Sequence, residues 1–189
     1  MLKQDPQTPK PEDWDEAFWE EIVRQHQESV FRLLYLMLGD VEEAADIAQE
    51  TFLRAFQHWN RRDPNRPLRP WLLRIAANLA RNRRRALGRY WKALQRWVRL
   101  QSSPAEERDS LLEAAVRQEA AERLWQAIRR LRGADQETLY LRYFLELSEE
   151  EIAQIQNVAV GTVKSRLHRA LHRLRAVIER EFPELLEET

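Results

Sequence analysis

The stretch LSEEEIAQIQNVAVGTVKSRLHRALHRLR, Leu147–Arg175, decides how the chain folds. Ser148 followed three residues later by Glu151 is a capping box, so a helix starts there. It covers SEEEIAQIQ and ends at Asn157, a residue that tolerates left-handed turn geometry. A second helix starts three or four residues later. Two short helices joined by so tight a turn form a helix-turn-helix, whose second member enters the major groove of DNA.

The second helix sorts into two faces. At helical spacing Val163, Leu167, Ala170, Leu171, Leu174 and Ile178 share one side and are expected in the core. The opposite side centres on Ser165, His168, Arg169 and His172, with Lys164 and Arg175 at one flank and Arg166 and Arg173 at the other. Short and fork-shaped polar groups at the centre suit base edges, and cations at the rims suit phosphates. The plain alternative is an exposed basic helix with no partner. His168 and His172 stand at metal-ligand spacing, but no Glu lies between them, so the zinc-protease helix motif is absent and no metal is assigned.

Composition agrees with an all-helical chain. Among 189 residues only 4 are Gly, 33% are charged, and strand-like alternation is missing. The absence of Cys excludes disulfides, thiol catalysis and Cys-based zinc sites. The most apolar short run, VFRLLYLML, carries an Arg and falls short of a membrane span, and the N-terminus has no apolar core of a secretory signal. A soluble, cytoplasmic protein without membrane insertion is therefore expected. Four scattered His (26, 58, 168, 172) and no Gly-rich phosphate loop give no catalytic constellation and call for no cofactor.

Formal neutrality conceals segregated charge. Residues 1–50 carry four bases against thirteen acids; residues 51–104 carry fourteen bases and Asp63 alone. Residues 105–151 return to seven bases against twelve acids, and the rest nearly balances. Such blocks suggest separate binding surfaces, one basic patch per half, or else salt-bridged helix surfaces within one bundle.

Helical patterns are expected from Asp13 to Leu38, with a break at Gly39-Asp40, and then over about 41–59, 71–98, 113–132, 135–145, 148–156 and 160–181. The third has a possible break at Gly88. NRRDPNRPLRP, with three prolines in seven residues, is expected to hold no regular structure. LQSSPAEERDS is the linker candidate. The resulting organisation is two small helical domains, 1–99 and 113–189, joined by a flexible linker at 100–112.

Leu147–Arg175 resembles region four of bacterial extracytoplasmic-function (ECF, group IV) RNA polymerase sigma factors, with the signature VGTVKSRLHRA intact. The resemblance implies that Arg142, Thr162, Lys164, Ser165, His168 and Arg169 face the minus-thirty-five promoter element. Two positions depart from the family's pattern: Gln156-Asn157 stands where Leu-Gly is usual, and Ala159 where Pro is common.

On the second expected helix Ala45, Ala48, Phe52, Ala55, Phe56 and Trp59 make an apolar stripe, and Asp46, Gln49 and Glu50 fall opposite. Read plainly, the three are a solvent face. The segment DIAQETFLRAF, however, is similar to the family's region-two helix, and by that resemblance they dock on the β′ clamp of the polymerase core. WLLRIAANLARN, Trp71–Asn82, looks like the promoter-reading part of region two. Trp71 and Ile75 are expected in the core. The resemblance assigns Asn78 to the site where a minus-ten base leaves the stack, with Arg62 in the loop that walls it. Arg81 and Arg84 belong to the adjoining run Arg81–Arg85, which is either a plain charge run or, on so basic a face, a phosphate-binding surface. Relatives often carry an aromatic near Arg62, and Asn82 stands where an Asp is usual.

The resemblance thus implies a sigma factor without catalytic activity. Its partners would be the polymerase core (β′ clamp and β flap), promoter DNA and an anti-sigma factor, and its acidic linker would thread through the core enzyme. The rival is a helix-turn-helix regulator that binds DNA without polymerase, which leaves the Asp46 trio and the Asn78 segment idle. Tyr90, Leu94, Trp97 and Val98 continue an apolar stripe that is either packed on the domain or an anti-sigma docking patch.

Overall fold

The computed structural model describes residues 16–94 and 112–186, and no strand occurs among them. They form two compact units, one built on helices up to Arg85 and the other on the C-terminal helices.

In the first unit α1 (Glu16–Leu38) and α2 (Val41–Gln57) form a hairpin. Gly39 closes α1 at φ 77°, and its N–H donates to Tyr35 O at 2.8 Å. Only glycine adopts that left-handed conformation without a steric penalty. Asp40 then caps α2, accepting from the Glu43 N–H at 2.8 Å. Val30, Leu33 and Leu34 of α1 are fully buried, as are Leu72, Leu73, Ala76 and Ala77 of α3 (Leu68–Leu94). Small residues, Ala44, Thr51 and Ala55, make the buried line of α2. Thr51 donates its hydroxyl to Ile47 O at 2.7 Å, so its burial strands no polar atom. The expected α2 stripe is thus shifted by about one residue. Ala55 and Trp59 are buried and Ala45, Ala48 and Phe52 half-buried, but Phe56 is exposed. Trp71 and Ile75, expected in the core, are half-buried.

The proline-rich connection is regular at both ends, contrary to expectation. Trp59–Arg61 makes a 3₁₀ turn, and α3 begins at Leu68, three residues earlier than expected. Pro70 sits in its first turn, where the N–H groups have no intrahelical acceptor to lose. The backbone of α3 also continues through Gly88 without a break. The Tyr90–Val98 stripe has no described side chains, and the linker candidate lies outside the described residues except for Leu112.

The second unit contains α4 (Leu112–Arg129), α5 (Gly133–Leu139), α6 (Glu149–Gln156), α7 (Val160–Glu181) and a closing 3₁₀ turn (Pro183–Leu186). α5 and α4 pack on α7. Gln136 is buried, and its Nε2 donates to Arg129 O (3.0 Å) and Leu131 O (2.9 Å), tying the α4–α5 turn. The expected 135–145 helix divides. After α5 the chain widens into a π turn, Tyr140–Phe144, where the Leu145 N–H reaches Tyr140 O at 3.1 Å. The wider turn buries Tyr140, Leu141 and Leu145 while Arg142 and Tyr143 face solvent. Trp125 packs against Tyr140 and Phe144, with ring centroids 5.9 and 4.7 Å away.

Candidate nucleic-acid interface

The helix-turn-helix is held by local chemistry. The Ser148 N–H donates to Glu151 Oε2 (2.8 Å) while the Glu151 N–H donates to Ser148 Oγ (3.2 Å), so the capping box is complete in both directions. Asn157 adopts φ 55°, and the Val158 N–H donates to Ala153 O at 3.1 Å, a Schellman closure of α6. Asn157 therefore makes the turn where the family's glycine is usual. Ala159 is the N-cap of α7 and has no side-chain acceptor; its carbonyl takes the ordinary first helical bond from the Val163 N–H (3.2 Å) and a second bond from the Thr162 N–H (2.9 Å).

On α7 the core face is Val163, Leu167 and Ala170, with Leu174 and Ile178 half-buried. Leu171, expected with them, is 42% exposed and departs from that expectation. The unit covers a narrower arc of α7 than the apolar residues span. Lys164, Ser165, His168 and Arg169 are exposed together along the opposite face. Arg169 folds back on Ser165, its Nε donating to the carbonyl at 3.0 Å. Ser165 Oγ in turn donates to Thr162 O at 3.0 Å, so the three residues form one hydrogen-bonded strip. Arg142 is exposed on the π turn and donates through Nη1 to Leu147 O at 2.9 Å, next to the start of α6.

Two contacts in this unit have no counterpart in the sequence reading. Lys164 Nζ lies 3.6 Å from Glu149 Oε2 in the first turn of α6. Arg173, expected at the phosphate rim, instead pairs through Nη1 with Oδ2 of buried Asp135. A helix wheel places Arg173 on the rim but cannot show which neighbour meets it there.

In the first unit Asp46 and Gln49 are exposed on α2, and half-buried Glu50 accepts from Arg54 Nε at 2.6 Å. Leu53 lies on the same face at helical spacing and is 52% exposed, and neighbouring Phe56 is 50% exposed. Sequence reasoning missed both. Leu53 interrupts a polar face, and Phe56 scans as part of a buried stripe.

Asn78 is exposed on α3 and its Oδ1 accepts from Arg81 Nη2 at 2.6 Å, while Arg81 Nε donates to Ala77 O at 3.2 Å. That bond supplies the polar partner the Asn78 side chain needs. Arg83 and Arg84 are both exposed, and Arg83 donates to Glu43 Oε1 of α2 (2.9 and 3.2 Å). Arg62 lies over the Trp59 ring, its guanidinium carbon 4.8 Å from the centroid. Burial pushes the Arg62 pKa down, and the Asp63 carboxylate opposes that shift. Trp59 in turn meets Trp71 edge-on at 6.0 Å, and Trp71 precedes Asn78 by two turns of α3.

Comparison with known proteins assigns both units. The Sigma-70 region 2 model matches residues 22–90 and the Sigma-70 region 4 model matches residues 121–174. The ECF RNA polymerase sigma factor SigW of Bacillus subtilis is 35% identical over 170 residues, covering 85% of this chain and 89% of that protein. The chain belongs to the ECF family of RNA polymerase sigma factors. It is a transcription initiation factor, and its matched regions, one per unit, disfavour a helix-turn-helix regulator acting without polymerase. The fold agrees with solved structures. The sigma factor RpoE from Bartonella quintana, in complex with the anti-sigma factor NepR, superposes at a TM-score of 0.65 and 21% identity, covering 86% of this sigma factor and 98% of that chain. CnrH, in complex with the cytosolic domain of CnrY, gives a TM-score of 0.65 and 22% identity over 90% and 94% of the two chains.

Among the described residues no helix of this sigma factor is long and apolar enough to cross a membrane. Nor is any group of three His, Asp or Glu side chains among them placed to hold a metal.

Proposed function

We propose that this sigma factor is of group IV and grips polymerase and promoter through three surfaces. Asp46, Gln49 and Glu50 dock on the β′ clamp. Arg62, Asn78, Arg81 and Arg84 serve the minus-ten element. Arg142, Thr162, Lys164, Ser165, His168 and Arg169 serve the minus-thirty-five element, with the region-four domain seated on the β flap. The domains run over 1–99 and 113–189, and the acidic linker 100–112 threads through the core enzyme.

One observation carries this reading. A complete helix-turn-helix with an exposed polar strip shares its chain with a second unit that presents a carboxylate-and-amide face on a rigid helix. Carboxylates so placed pair with arginines of a partner helix, whereas a stand-alone DNA reader needs only the first surface. The basic run of 51–104 supplies phosphate attraction beside Asn78. Region two then opens the duplex, because a pocket and a basic surface together offset the cost of unstacking a base.

The sigma factor has no catalytic activity of its own, works in the cytoplasm and is restrained by an anti-sigma factor. The last point is supported by the RpoE–NepR complex of a protein with the same fold. Run-off transcription with core polymerase on a randomised promoter library tests the whole reading. Asp46→Ala with Glu50→Ala should abolish transcripts while the circular-dichroism melt is unchanged; full activity in that variant would remove the docking assignment.

A further inference from the structure

Arg62 makes an unusual set of contacts for a loop cation. Its guanidinium lies on the Trp59 ring, 4.8 Å from the centroid. Its Nη1 donates to Arg66 O at 2.8 Å and to Asp63 O at 3.4 Å. Beneath it Trp59 is 6% exposed, with the rings of Phe18, Trp19 and Trp71 at centroid distances of 5.6, 5.0 and 6.0 Å. The turn it spans is closed by the Arg66 N–H to Asp63 O (3.1 Å), the Asn65 N–H to Asp63 Oδ1 (3.0 Å) and the Arg66–Asp63 ion pair (3.3 Å).

These contacts are costly for a flexible cation whose task is to meet phosphate in water. Stacking and hydrogen bonding freeze a long side chain and remove part of its hydration. They are useful to a loop short of donors. Pro64 and Pro67 have no N–H, so the Arg66 N–H to Asp63 O bond closes the turn with little further backbone support, and the Arg66 carbonyl is met by the Arg62 side chain. A planar fork that stacks with its face and donates with its edge fills that gap, and a lysine cannot do both.

We infer that Arg62 is a positioning residue for promoter opening: it pins the 63–66 turn onto the Trp59 platform and so fixes the loop that walls the minus-ten base, without touching the base itself. The inference rests on the minus-ten reading above. It assigns the specificity of that site to the geometry of the loop, with Arg62 acting through Asp63 and Arg66.

The test compares Arg62→Lys and Arg62→Gln in the full chain. Amide hydrogen exchange of Asn65 and Arg66 is measured on the free protein. Promoter opening is measured with core polymerase on four templates that differ only in the base read from the stack. Both variants should speed loop exchange by about tenfold or more and slow opening by about the same factor on all four templates. Lysine should rescue neither readout. A loss confined to one template with loop exchange unchanged would show that Arg62 contacts the base and overturn the inference. So would rescue by lysine, faster exchange with normal opening, or no change in either readout. If the unaltered chain opens none of the templates with core polymerase, the minus-ten reading fails and the inference falls with it. The exchange result then still reports separately whether Arg62 pins the loop.

Discussion

Arg173 of α7 and Asp135 of α5 are joined by an ion pair inside the second unit, where the Asp135 side chain is 7% exposed. The bond holds α7 against the short, buried helix α5. Removing the arginine strands a carboxylate that has little water around it. Arg173→Met should therefore destabilise the unit by about 1–3 kcal/mol, the upper part of the range being tempered by the arginine's own exposure. The double variant with Asp135→Asn should recover part of that loss, because it removes the buried charge as well. Exchange of the buried Leu167 and Ala170 amides reports the stability of this unit alone. Arg173→Met should leave the salt slope of DNA binding unchanged, which separates it from the phosphate cations.

Glu149 is placed to compete with a phosphate for Lys164. The pair is 3.6 Å apart and partly exposed, so it contributes at most about 1 kcal/mol to stability. When a phosphate takes Lys164, Glu149 must recruit a counterion, which offsets one released from the DNA. Glu149→Gln should tighten binding to any duplex by a few-fold and steepen the slope of log K against log salt by about one. The loss of a first-turn acid should cost α6 only about 0.3–1 kcal/mol. Fluorescence anisotropy across a salt series checks both numbers. An unchanged slope would mean that Lys164 does not meet phosphate.

His26 gives the first unit a pH dependence with a defined sign. Burial, and then the positive charge of Arg69, lower its pKa from the ordinary 6.5. Between the folded and unfolded pKa the unfolded chain binds more protons, so stability rises with pH through that window. The neutral-His advantage is complete above pH 6.5 and is lost as pH falls toward the lowered folded value. Glu21, whose pKa is lowered by hydrogen bonds from Arg24 and then Gln25, acts only in the separate window below 4.5. His26→Gln should flatten the dependence of melting temperature on pH just below 6.5 and leave the more acidic limb in place. Thermal melts on either side of that value provide the measurement.

These cases show which parts of the molecule were legible in its sequence. Ser148 with Glu151 and the turn at Asn157 were readable because each involves atoms within a few residues, whose geometry the local chain dictates. Asp40 and Gly39 belong to the same class. Arg173 and Leu171 were misplaced because their surroundings are set by α5 and by how wide a strip of α7 is covered, which no helical wheel contains. The π turn at Tyr140–Phe144 escaped because one extra residue per turn leaves hydrophobic spacing almost unaltered. At the sites, residue types and motif order named the candidate side chains. The contacts that restrain them were not readable: Glu149 reaches Lys164 from the preceding helix, and Trp59 comes to lie beneath Arg62 only because the Trp59–Arg61 segment closes as a 3₁₀ turn.

Gly161 occupies the first turn of α7, and a Cβ built on it meets nothing within 4 Å. Its backbone is not in the left-handed region, so the chain itself has no need of glycine there. Replacing it by alanine should stabilise the helix by about 0.5–1 kcal/mol, since glycine loses more backbone freedom on folding. Gly161→Ala should therefore raise the protection of α7 amides against hydrogen exchange by about two- to fivefold, because the unfolded chain loses backbone freedom. Unchanged or lower protection would show that the first turn of α7 opens independently of the rest of the helix.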